Sequence, residues 1–228
     1  MHKYIIVTVK KWNLEQYIVS GFKKNKNFIL INDPKKLTLK KLDSIKPKYI
    51  FFPHWSFKVN DKIINRYSCV CFHETNVPYG RGGSPIQNLI LRNHKKTFIT
   101  ALKMTNVLDG GPVYIKRSLD LHGKAEEIYY RAAKIVFKMI KEIIKRNPKP
   151  LKQKGKIVRF KRRKPKQSNI PKNLDNLNNL YDFIRMLDAD SYPKAFIKHG
   201  KFNIKFNNAK LSKKSINAMV NINIESKL

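Results

Sequence analysis

The sequence predicts an α/β protein: a mainly parallel sheet covered by helices, followed by a small α+β extension. Three observations carry that expectation. Apolar runs of strand length alternate with helix-length segments through the first half of the chain, the order that builds a parallel sheet through right-handed crossovers. A long amphipathic segment over residues 124–146 has a continuous apolar stripe, as a helix lying on such a sheet requires. Past it the composition turns to Pro, Lys and Gly, and the pattern beyond is a helix followed by a β-ribbon.

Residues 4–9 form a buried-type strand; the apolar run is too short for a signal peptide and lacks a cleavage pattern. A helical stretch over 14–22 leads to a second strand at 27–32, and a Lys-rich helix over 37–45 leads to a third at 49–53. A helical turn over 61–67 precedes the fourth strand, 68–72. Ser84 as N-cap and Pro85 at the first helical position open a helix over 85–93. Strands at 97–104 and 111–116 follow. In the long helix Ile128, Ala132, Ile135, Val136, Met139, Ile143 and Ile144 recur at three- and four-residue steps, so its task is core packing. Asn147-Pro148-Lys149-Pro150 ends it and separates two expected domains, 1–147 and 148–228. The second holds a basic loop at Lys161-Arg162-Arg163-Lys164-Pro165, a helix over 174–187, a ribbon from 195–197 to 202–206 and a last strand at 218–224.

Composition excludes several classes. No run of eighteen apolar residues offers a membrane span. Cys69 and Cys71, the only cysteines, share one strand face with no third Cys to complete a metal site. They read as buried free thiols in a cytoplasmic protein. No Gly-x-Gly-x-x-Gly follows the first strand, which argues against a nicotinamide dinucleotide. The net charge of +34 invites a nucleic-acid partner. Yet Lys supplies 39 of the 49 basic residues, spread along the chain among Asn and Ile, and no nucleic-acid-binding motif is present. The charge therefore reads first as a solvated basic surface that attracts anionic ligands.

Residues 71–87, Cys-Phe-His-Glu-Thr-Asn-Val-Pro-Tyr-Gly-Arg-Gly-Gly-Ser-Pro-Ile-Gln, carry the strongest functional signal. A strand delivers His73 to its carboxyl end, the edge where open α/β sheets bind ligands, and a Gly/Pro-rich loop follows. A second strand end delivers Asp109 into the tight loop 108–112, so that one His and one Asp can meet over a shared substrate. His73, Pro78, Arg81, Gly82, Pro85, Ile86, Gln87, Asp109 and Gly111 fall in register on a known pattern. It reads Asn-x-His, Pro, Arg-Gly, two small residues, Pro-Ile-Gln, then Asp-x-Gly. The chain thus resembles the folate-dependent formyltransferases in their tRNA and sugar branches, most strongly over 50–145. It departs from them at Cys71, where the family has Asn.

The resemblance implies a Rossmann-like formyltransferase sheet, 10-formyltetrahydrofolate as co-substrate, no metal, and catalytic roles for His73 and Asp109. Transfer to an amine passes charge through the formyl oxygen, which a carboxylate and an imidazole can serve by moving protons. Cys71 is a poor donor for that oxygen; Asn76, Gln87 or a backbone N–H of the Gly82-Gly83 loop can substitute. A nucleophilic Cys71 would need an activating base on its own strand face. Folate contacts map to Pro53, Trp55, Arg81, Gly82, Gly83 and Pro85, Trp55 being either a pterin wall or an ordinary surface aromatic. Arg162 and Arg163 either bind a substrate diphosphate or are solvated charges. The part beyond the linker is shorter than the C-terminal barrel of the tRNA branch. The leading expectation is therefore N-formylation of a nucleotide-linked amino sugar. Methionyl-tRNA formylation is the alternative, and a non-catalytic nucleic-acid-binding protein the second. A homodimer is compatible with either enzyme.

Overall fold

The computed structural model describes residues 2–190 and 192–224. Strands are β1 (Tyr4–Val7), β2 (Phe28–Ile31), β3 (Tyr49–Phe52), β4 (Cys69–His73), β5 (Tyr79–Gly82), β6 (Lys96–Lys103), β7 (Val113–Asp120), β8 (Val158–Phe160), β9 (Ala195–His199), β10 (Phe202–Leu211) and β11 (Ile216–Ile224). Helices are α1 (Lys11–Val19), α2 (Leu39–Ile45), α3 (Asp61–Arg66), α4 (Pro85–Ile90), α5 (Ala125–Arg146) and α6 (Leu177–Arg185). No helix among the described residues is long and apolar enough to cross a membrane.

The chain divides into two compact units. The first comprises Met1–Gly82, Thr97–Leu119 and Tyr130–Arg159. Its six-stranded sheet has the order β2-β1-β3-β4-β6-β7. The four strands β2, β1, β3 and β4 run parallel. Ile5, Ile6 and Val7 are fully buried, as are Ile50 and Phe51, because a parallel strand is covered on both faces and reads as a continuous apolar run. Thr38 caps α2 by accepting from the Lys41 N–H, and Asn60 caps α3 by accepting from Lys62. The buried stripe of α5 is broader than the seven expected positions. It takes in Ala133, Phe137 and Ile140, while Ile135 and Ile144 sit half-buried at its margin. Phe137 meets the Phe22 ring edge-on at 5.2 Å.

Three expectations need correction. β6 runs antiparallel to β4, pairing Val70 with Lys103 and His73 with Thr100. The carboxyl end of β6 therefore lies beside the amino end of β4, and Asp109 does not reach His73 simply as a second strand end. The Gly/Pro-rich stretch after His73 is not all loop: β5 pairs with β8 in a two-stranded sheet. α1 begins at Lys11 rather than 14, because Trp12 and Asn13 are buried. The Asn13 amide donates to Thr8 Oγ1 at 3.2 Å and to the Pro53 carbonyl at 3.1 Å.

The second unit comprises Gly83–Lys96, Asp120–Tyr129 and Phe160–Leu228. It carries the antiparallel sheet β11-β10-β9 with α6 packed on β10. Arg185 is buried in it yet satisfied: Nε donates to Asp182 at 2.5 Å and Nη1 to the carbonyls of Leu121 and Gly123. Ser84 opens α4 without capping it. Its φ is 50° and its Oγ is taken by the Arg163 N–H and by Tyr192 Oη.

Candidate active site

Alternation along β4 sends Cys69, Cys71 and His73 to one face of the sheet. His73 is buried, with Nε2 2.8 Å from the Gly80 carbonyl oxygen. A carbonyl only accepts, so Nε2 carries the hydrogen. Nδ1 is then the working nitrogen, and it faces Asp109 Oδ2 at 3.7 Å. That separation is beyond a direct hydrogen bond and leaves both groups able to engage other atoms. The same Oδ2 accepts the Gly82 N–H at 2.9 Å.

The loop after β6 folds back to bring Asp109 there. Asp109 adopts φ 50°, a region Asp tolerates better than most residues, and the Gly110 N–H closes the turn on the Val107 carbonyl at 3.0 Å. At Gly111 a Cβ would sit 1.8 Å from the Lys103 carbonyl oxygen, so only glycine lets the loop return so closely against its own strand. Gln153 then locks it. Its Nε2 donates to the Asp109 and Gly111 carbonyls at 2.8 and 2.7 Å, while its Oε1 accepts from Arg81 Nη2 and Nε at 2.8 and 3.1 Å. His73, Asp109, Arg81 and Gly82 are thus one connected cluster. Gln153 was not legible in the sequence, since its partners lie about 40 to 70 positions away and no local pattern marks it.

The turn after His73 is pinned by Thr100 Oγ1 on the Thr75 carbonyl at 2.6 Å and by Thr97 Oγ1 on the Glu74 carbonyl at 3.3 Å. Asn76 is exposed, its Oδ1 accepting from Lys116 Nζ at 2.6 Å; burial lowers the Lys116 pKa. Burial, reinforced by the negative charge of Asp109, pushes the Cys71 thiol up, and burial pushes Cys69 up to about 12. Neither is poised as a thiolate.

A second pair went unread in the sequence. Glu74 is buried, and its Oε1 lies 3.4 Å from Nδ1 of His54. Burial alone would raise this carboxyl, but the hydrogen bond and charge of His54, with the charge of His73 beyond, hold it below its usual range. His54 itself has φ 47° and an edge-on contact with Trp12 at 5.4 Å. A carboxylate directly after the motif histidine, at the end of an apolar strand, was the available signal. Trp55, next along, packs on Phe57 and Phe52 at 4.9 and 6.2 Å, with its indole N–H buried and lacking an acceptor.

The remaining expected residues belong to the second unit. Gly83 donates its N–H to the Phe160 carbonyl, and a Cβ there would fall 2.4 Å from that of Arg162. Pro85 starts α4. Gln87 is fully buried with both amide hydrogens committed, to Tyr129 Oη and the Met186 carbonyl, each at 3.0 Å. Arg162 is exposed. Arg163 lies against the Phe183 ring at 5.6 Å and donates to the Gln167 carbonyl; burial lowers its pKa and its Nε has no acceptor.

Comparison with known proteins gives four matches of different reach. The profile of the methionyl-tRNA formyltransferase C-terminal domain matches residues 165–223. A solved structure described as methionyl-tRNA formyltransferase, from Clostridium thermocellum, is 44% identical with a TM-score of 0.95, covering 99% of this chain and 100% of that one. The methionyl-tRNA formyltransferase of Clostridium acetobutylicum is 27% identical over 199 residues, 82% of this chain; the chain spans only 64% of that longer relative. A sugar N-formyltransferase from Shewanella superposes with a TM-score of 0.66 at 15% identity, covering 88% of this chain and 94% of that one, a likeness of fold alone.

Proposed function

We propose, since this chain belongs to the folate-dependent formyltransferase family, that it moves the formyl group of 10-formyltetrahydrofolate to the amino group of methionyl-tRNA. The observation that carries the choice of acceptor is the full-length match to the Clostridium thermocellum protein. That match also removes the weight given to the short C-terminal part, because a relative of the same extent is described as acting on methionyl-tRNA. The amino-sugar reading is supported only by likeness of fold at 15% identity.

The residues present fit the folate donor. They offer an imidazole with a fixed tautomer, a carboxylate beside it, and the unsatisfied indole N–H of Trp55 on the loop that follows β3. Pro53 and Trp55, on the loop that lines the folate pocket in the family, and Arg81 and Gly82 are the residues offered to hold it. When bound, the folate supplies the formyl carbon as electrophile and N10 as leaving group. Asp109 takes the proton that the incoming amine must lose, and its carboxylate is kept in place by the Gly82 N–H. His73 presents an unprotonated Nδ1 toward Asp109, from which it would receive that same proton and pass it to N10, with Nε2–H anchored on Gly80 so that the ring cannot turn away. Arg162 and Arg163 are offered for phosphates of the acceptor.

The test is a parallel assay of initiator methionyl-tRNA and a panel of nucleotide amino sugars with 10-formyltetrahydrofolate, reading the gain of one formyl group by mass. Formylation of the tRNA alone supports the proposal; formylation of a sugar alone replaces it.

A further inference from the structure

We propose that β11 is the surface through which two copies of this chain pair, edge to edge across a two-fold axis at Val220, joining their three-stranded sheets into one of six strands. The inference goes beyond the formyl-transfer reading and does not depend on which acceptor is used.

β11 is an outer strand of the sheet β11-β10-β9, and among the described residues β10 is its one neighbouring strand. The N–H and C=O groups along its other side are a template for a further strand. Native proteins block such an edge with charged side chains, proline, a bulge or a very short strand. β11 uses none of these. It runs for nine residues, Ile-Asn-Ala-Met-Val-Asn-Ile-Asn-Ile, with no proline and no charged residue, in a chain where 28% of residues are charged. The irregularity in its ladder, between Asn207 and Lys210, puts the extra residue on β10. The opposite edge of the sheet is handled differently. There Asn169 bridges Phe196, the Ile170 N–H donates to the Phe196 carbonyl, and Lys198 and His199 end the strand.

The occupant is read from the symmetry of the strand itself. Antiparallel pairing with a second copy about Val220 sets Ile216 opposite Ile224, Asn217 opposite Asn223, Ala218 opposite Ile222 and Met219 opposite Asn221. Residues directly opposite share a face, so apolar meets apolar on one side and asparagine meets asparagine or Met219 on the other. Val220, Ile222 and Ile224 are 50%, 60% and 64% exposed, and they continue the row of Phe206, Ile204 and Phe202 on β10. A second β11 covers their outer flanks. Charge points to the same strand: a protein of net charge +34 repels its own copy, so self-association is favoured where no charge lies. A nine-residue strand is about 31 Å long. One such pairing sits at the low end of specific interfaces, below about 1,200 Å² in total, so the dissociation constant should be on the order of 10 μM.

Sedimentation equilibrium of the full chain should show a monomer–dimer equilibrium with its midpoint on the order of 10 μM. Raising sodium chloride from about 50 to about 500 mM should strengthen the dimer several-fold, because salt screens like-charge repulsion and spares apolar contacts. Val220→Lys sets two ammonium groups against each other at the axis and should weaken the dimer at least about thirtyfold at an unchanged melting temperature. Ile222→Lys serves if that variant costs the fold. Register is read by disulfide formation with diamide, which takes two electrons and two protons from a thiol pair. Asn217→Cys mixed with Asn223→Cys should give a covalent dimer, since opposed Cβ atoms lie about 5 Å apart. Either variant alone should not, because each cysteine is then about 20 Å from its own copy. Wild type, with Cys69 buried and Cys71 half-buried, is the blank. A monomer at about 200 μM, a dimer indifferent to both lysine variants, or a dimer weakened by salt overturns the proposal. So does absence of the mixed disulfide, the result expected if the apolar faces stack face to face instead.

Discussion

Gln153→Ala removes a side chain that touches no reacting group, yet it should disable the site. Four hydrogen bonds at 2.7 to 3.1 Å are lost: two to the carbonyls of Asp109 and Gly111 and two from Arg81. A neutral hydrogen bond contributes about 1 kcal/mol net and one to a charged group somewhat more. Gln153 is only half-buried, so water recovers part of this; the expected loss is about 2 kcal/mol of stability. The larger effect is on geometry. Asp109 sits in a left-handed conformation on a returning loop, and release of its carbonyl lets the carboxylate drift from its place beside His73 Nδ1. A displacement of about 1 Å costs on the order of a hundredfold in rate. Gln153→Glu is the sharper control: it keeps an acceptor for Arg81 but turns a carboxylate toward two carbonyl oxygens, so stability should fall further than in Ala. Urea denaturation gives the first quantity and steady-state formyl transfer the second. A Gln153→Ala protein within about 0.5 kcal/mol of wild type and within threefold in kcat would refute the claim that Gln153 holds the loop.

Other outcomes follow from the same geometry. His73→Ala and Asp109→Asn should each reduce kcat at least about a hundredfold with the fold retained, measured by turnover and circular dichroism. Gly111→Ala should destabilise by about 3 kcal/mol and abolish activity, since the new methyl would meet a backbone oxygen at 1.8 Å that cannot swing aside; a wild-type melting temperature would contradict this. Glu74 has its folded pKa lowered, so its ionised form adds stability that is fully present above the ordinary carboxylate pKa, about 4.3, and is lost as pH falls through the folded value. The stability difference between wild type and Glu74→Gln should therefore narrow below about pH 4; a pH-independent difference would show that the carboxylate charge contributes nothing.

What the sequence made legible follows from the range of the forces involved. Buried parallel strands announce themselves as apolar runs, and β1, β3 and β4 lie where those runs are. Strand direction leaves no such trace, because alternation looks the same read from either end, so the reversal of β6 was invisible. β5 and β8 are short, one of them glycine-containing, and are held by pairing with each other rather than by local propensity. Ser84-Pro85 has the letters of a capped helix start, but Arg163 and Tyr192, remote in sequence, take the hydroxyl instead. His73 and Asp109 were legible because a motif carries them. Gln153, His54 and Glu74 were not, because their meaning lies in contacts across the chain.

The central claim is that His73 and Asp109 carry formyl transfer to methionyl-tRNA. Single-turnover transfer of a labelled formyl group from 10-formyltetrahydrofolate to initiator methionyl-tRNA tests it most directly, with wild type and Asp109→Asn side by side at about 150 mM salt, where non-specific attraction to a protein of charge +34 is largely screened. The account predicts formylmethionyl-tRNA from the wild type and a rate at least about a hundredfold lower from Asp109→Asn. Equal rates from the two proteins, or no formylated tRNA from a folded wild type that formylates a nucleotide amino sugar under the same conditions, would contradict it.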